Sequence, residues 1–147
     1  MRTLLASFLL AVVSINMISC QQYSAGLQKG SNRAEETSAI GSLRTIAQAQ
    51  TTFSISNAGN YGTFEQLTEG GFLDSRFHHS SPALHGYVFN MQVNPATEGS
   101  QGSYSCNADP APTSNLGGRH FYIDSISQEI RANATQPATD KDEPLKP

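Results

Sequence analysis

Cys106 with His85 or His120 as base is the pairing in this chain that could do nucleophilic chemistry. The surrounding "SYSCNA" sets Tyr104 and Cys106 against Ser103, Ser105 and Asn107, the period of a strand with one apolar face. That context favours Cys106 as a small buried side chain. Asp124 and Glu129 could form a carboxylate pair of the kind that cleaves glycosides. They flank a hairpin turn, where solvated charge is the simpler reading. His78 and His79 are adjacent, and in an extended chain adjacent side chains point to opposite sides. No HExxH, Cys/His cluster, GxSxG, P-loop or GxGxxG occurs. The expectation is therefore no metal, no cofactor and no catalytic site.

The elements that would carry these residues follow from periodicity. Between Ala34 and Asn57, Ile40, Leu43, Ile46, Ala47 and Phe53 recur at three and four residues, an amphipathic helix that must dock its stripe on a core. Asn32 suits its N-cap, with Glu35 three residues on, and "NAGNYG" ends it. A short helix or turn follows at 63–69, facing Phe64, Leu67, Phe72 and Leu73 inward, and then a loop at 76–85. From "GYVFNMQVN" the period changes to two, with Tyr87, Phe89, Met91 and Val93 on one face. "SYSCNA" reads as the next strand and "RHFYID" with "QEIRAN" as a closing hairpin. The order is α+β: one long helix packed on a small antiparallel sheet of three to four strands. The loops 94–102 and 107–118 are the first candidates for a binding surface, since binding residues favour loops on a rigid scaffold. The tail 135–147 is charged, contains proline and lacks aromatics, and reads as disordered.

The other cysteine, Cys20, ends an uncharged run that follows Met1-Arg2-Thr3. A basic start, an apolar middle and a small residue (Ser19) form the layout of a secretory signal. As a helix, residues 3–18 would span about 24 Å, short of the roughly 30 Å of a bilayer core. A retained anchor is the competing reading, and a Cys20–Cys106 disulfide the competing use of the thiols. Residues 20–33, "CQQYSAGLQKGSNR", have no apolar period and read as a flexible tether. Beyond residue 19 the chain holds eight Lys or Arg against twelve Asp or Glu, with no basic cluster. That balance argues against a nucleic-acid partner.

"MISC" resembles a bacterial lipobox, with Ser19 before the cut and Met17 in place of the preferred Leu. The resemblance implies cleavage between Ser19 and Cys20, and lipid on Cys20. Two or more acyl chains hold a protein stably where one does not. Gln21 stands where Asp would imply inner-membrane retention, so the resemblance leans to the outer membrane.

"AIGSLRTIAQAQTTFSISNAGNYG", "GFLD", "HGYVFNM", "YSCNADP" and "GGRHFYIDSISQEIRAN" are together similar to the heads of type IV pilin-like proteins, including pseudopilins of type II secretion, over about residues 34–134. The resemblance implies a helix-on-sheet head and an association with pilus or secretion machinery. It does not extend to the family's start, an aromatic residue and a Glu followed by about twenty apolar residues. Nor does it carry over a calcium loop, since the corresponding segment offers only Asp109, with Asp124 elsewhere. The expected organisation is a signal peptide at 1–19, lipidated Cys20 and tether to 33, head at 34–134 and tail at 135–147. The expected protein is a non-catalytic, lipid-anchored envelope module, monomeric or weakly associated. The alternative is an envelope enzyme using Cys106 or Asp124/Glu129.

Overall fold

A computed structural model describes residues 29–112 and 118–146 in full, and residues 2–28 as helix only. Helix α1 (Arg2–Ser56) leads into a short helix α2 (Phe64–Glu69), a 3₁₀ turn (Ser75–Phe77) and five strands. These are β1 (Ala83–Leu84), β2 (Tyr87–Asn94), β3 (Ser103–Pro110), β4 (His120–Asp124) and β5 (Arg131–Asn133). They form one antiparallel meander in the order β1-β2-β3-β4-β5. The α+β class is as expected, with one strand more than the upper count. That strand is β1, hidden in what reads as a loop. It exists because His85 (φ 50°) and Gly86 (φ 79°) close a two-residue turn onto β2.

The helix docks through Ala39, Leu43, Ile46 and Ala49, with Gln50 beside them, all buried. Ile40, Ala47 and Phe53 flank this seam and are partly buried. The sheet answers with Tyr87, Phe89, Tyr104, Cys106, Ala108, Phe121 and Ile123. Between them Phe64, Leu67, Leu73 and Phe77 close one side. α2 is held by a capping box, Thr63 with Gln66. Ala58 and Gly59 end α1 in left-handed conformation. Gly62 then passes so close that a Cβ would lie 3.1 Å from the Phe53 ring.

Three expectations change. First, α1 does not start at a cap on Asn32: Lys29–Arg33 are already helical, and the helix runs unbroken through the supposed tether. Once packing has formed a helix, extension by Gln, Leu, Lys and Arg costs little, and Gly26 and Gly30 cost about 1 kcal/mol each. Second, β3 runs on through Pro110, so residues 107–110 are strand rather than loop. Third, the tail is ordered. Ala138 is 2% exposed and Leu145 packs on the core. Asn107 Nδ2 donates to Ala138 O (2.7 Å), Arg131 Nη1 to Asp142 O (2.7 Å), and Leu145 N to Ile130 O (2.8 Å). The composition that reads as disorder supplies turn caps instead. Asn133 Oδ1 accepts from Thr135 N, and Asp142 Oδ2 accepts from Thr139 N. The tail is a strap across the sheet and along the free edge of β5. Among the described residues no helix is long and apolar enough to cross a membrane.

Candidate functional site

Cys106 points from β3 into the core, opposite Met91 and Ile123, and is fully buried with a free thiol. Burial, followed by the charge of Asp109, pushes that thiol well above its ordinary range, so it stays protonated and unreactive. Neither candidate base reaches it. His85 lies exposed in the β1–β2 turn. His120 sits on the opposite face of the sheet, with Nδ1 2.6 Å from Asp109 Oδ1.

Asp124 and Glu129 do different things. Burial raises the Asp124 carboxyl, but hydrogen bonds from Ser127 N, Ser127 Oγ, Ile126 N and the Tyr122 hydroxyl outweigh it and hold the group below its usual value. The carboxylate is thus the frame of the β4–β5 turn. Glu129 stands in solvent, 3.6 Å from Arg131 Nη2. His78 Nδ1 lies 2.8 Å from Thr68 Oγ1, and His79 is exposed. Asp109 and Asp124 lie toward opposite ends of the sheet. Among the described residues no three His, Cys, Asp or Glu side chains gather closely enough to hold a metal ion. Ser19 and Cys20, expected as cleavage and lipid site, lie outside the residues whose side chains are described.

The two candidate loops fall at opposite ends of the head. Glu36 on α1 receives Arg119 in a forked ion pair, with Nη2 at 2.8 Å and Nε and the backbone N at 3.1 Å. Burial raises the Glu36 carboxyl, and Arg119 more than offsets this, leaving it below the ordinary range. Tyr87 Oη donates to Arg119 O (3.0 Å), and its hydroxyl is pushed up, first by burial and then by Glu36 and Glu35. This locked, charged end lies beside the loop that follows β3, of which 113–117 lie outside the described residues. Fourteen residues further along α1, Gln50 lies beside Met91, so α1, β2 and β4 all run from this proximal end toward a distal one.

At the distal end sits the other loop, 95–102, tightened by a bridge between Thr97 and Ser100 and held to the helix C-terminus by Ala96 N donating to Asn60 Oδ1 (2.9 Å). Ile55, one residue from the end of α1, is 80% exposed, and Ile126, just beyond β4, is 89% exposed. Cys106 is thus engaged in packing, Asp124 in a turn and His120 in its contact with Asp109, while His79, His85 and Glu129 are exposed. The exposed large apolar side chains among the described residues, Ile55 and Ile126, lie at the distal end. The Glu36–Arg119 pair spans 83 residues and has no short-range signal. No family model, no curated protein and no solved structure matches the chain.

Proposed function

We propose that the protein is a lipid-anchored envelope protein, held at the outer membrane through Cys20, whose head is a non-catalytic interaction module associated with type IV pilus or type II secretion machinery. The observation that carries the reading is "MISC" at the end of the apolar run. The helix adds to it. α1 is unbroken from Cys20 to Glu36, which pairs with Arg119 of the head, a helical rise of about 24 Å at about 1.5 Å per residue. A stalk lifts the head off the lipid and fixes which end faces outward. The distal end, with 95–102, Ile55 and Ile126, is then what a partner meets first. A reading as an envelope enzyme rests on Cys106 or Asp124/Glu129; the fold uses Cys106 for packing and Asp124 for a turn, and Glu129 stands in solvent.

The test is photo-crosslinking in intact cells from position Thr97. Adducts with pilin-like or secretion-system subunits are expected, reduced when 96–100 are deleted from a protein probed at Ile126. Crosslinks to no such subunit from either position would contradict the association.

A further inference from the structure

The sheet has two edges, and the chain treats them differently. The β5 edge is closed by the strap: Ala132 N donates to Glu143 O (3.3 Å), Leu145 N to Ile130 O (2.8 Å), and Arg131 bridges to Pro144. The β2 edge is covered only at its start. β1 is two residues long and reaches Tyr87 and Val88, and Phe89 N donates to Pro82 O (2.9 Å). Beyond that, residues 90–94 have β3 on one side and, among the described residues, no strand on the other.

The direction of the free groups follows from the ladder. Phe89 N bonds outward to Pro82, while Gly86 O accepts from Ala111 N on the β3 side. Odd-numbered residues of β2 therefore aim their backbone groups at the edge. Met91 and Val93 each present an N–H and a C=O there, and among the described residues none of the four has a hydrogen-bond partner. Edge strands are ordinarily guarded by charge, proline or a bulge. Asn90-Met91-Gln92-Val93-Asn94 has no charge and no proline, and its pairing with β3 is unbroken from Tyr87 to Asn94.

We infer that this open edge is a docking site for an extended segment of another protein, added as an antiparallel strand. The chemistry of the edge specifies the occupant. Four main-chain groups require a strand. Partly buried Met91 and Val93 on the helix side, with exposed Asn90, Gln92 and Asn94 on the other, require alternating apolar and uncharged polar residues. A second copy is the wrong occupant, and this point rests on the anchored reading given above. Antiparallel pairing of two β2 edges reverses one head relative to the other. Because β2 runs along α1, the two stalks would then point in opposite directions and could not enter one membrane.

An untethered peptide is free of that constraint, so the β2 sequence YVFNMQVN itself, extended by two lysines for solubility, is a usable probe. Centred on Gln92, it sets Met91 opposite Val93. Added to the detergent-solubilised full-length protein, it should slow amide exchange at Met91 and Val93 at least tenfold, with little change at Asn90 and Gln92, which already bond to β3. Val93→Pro removes an outward N–H and leaves the β3 ladder intact, so it should abolish the effect. Should that variant not fold, Gln92→Lys serves: it should bind a peptide carrying Lys at its Gln position at least tenfold more weakly than one carrying Glu. Slowing that Val93→Pro removes, or that charge discrimination, supports the edge. No slowing, slowing indifferent to the substitutions, or protection at β5 instead would overturn it. Crosslinking through Thr97 can succeed while the peptide fails, so the two readings fail separately.

Discussion

Deleting residues 135–147 should lower the melting temperature of the head by roughly 15 °C or more, at about 4–8 °C per kcal/mol for a domain near this size. The strap ends in Leu145, which packs on the core beside Ile130 and Ala47. It also satisfies the main chain of β5 and the amide of Asn107. Uncovering a partly buried leucine costs on the order of 1–2 kcal/mol, and each backbone group left without a partner where water reaches poorly adds about 1–3. A loss of about 3–6 kcal/mol is a large part of the 5–15 that holds a small domain together. A disordered tail would give no change, and an unaltered melting curve would return the segment to that status.

Gln50→Ala should be as damaging as Leu43→Ala, although one residue is polar and the other apolar. Leu43 is fully buried in the seam of α1, and its truncation should cost about 2–5 kcal/mol. Gln50 is also fully buried. Its Nε2 donates to Gly62 O (2.7 Å) and approaches Met91 Sδ (3.0 Å), while its Oε1 accepts from Gly62 N (2.9 Å). One side chain thus satisfies both main-chain groups of a buried glycine. Its removal strands both, at about 2–4 kcal/mol in all. Gln50→Leu keeps most of the volume and none of the hydrogen bonds, so it should not rescue. Gln48→Ala, on the exposed face, should stay within about 0.5 kcal/mol. Chemical denaturation of the four variants checks this, and a Gln50→Leu as stable as the parent would show that only volume matters there.

These two predictions mark where the sequence was and was not legible. Leu43, Ile46, Phe89, Tyr104 and Cys106 follow from period alone, because a helix and a strand each present one face and burial selects the apolar one. Gln50 lies on the same helical face, but a glutamine there carries no sign that a backbone turn at Gly62 will need it. The buried face runs along Ala39, Leu43, Ile46 and Gln50, where apolar spacing favoured Ile40 and Ala47, which lie at its flank and are partly buried. β1 was missed since two residues have no period. The strap was missed since composition weighs charge and proline, whereas its order comes from Asn133 and Asp142 capping their own turns. The burial of Cys106 was legible in its strand neighbours. The disposition of the two loops was not, because only the pairing of β2, β3 and β4 sends them to opposite ends.

Cells grown with labelled palmitate should yield a labelled protein when Cys20 is present and none when it is Cys20→Ala, with the variant retaining its signal residues. Cys106→Ala should label like the parent, since that thiol is buried in the core. Equal labelling of parent and Cys20→Ala, or a mature N-terminus other than Cys20 by mass spectrometry, would contradict the account.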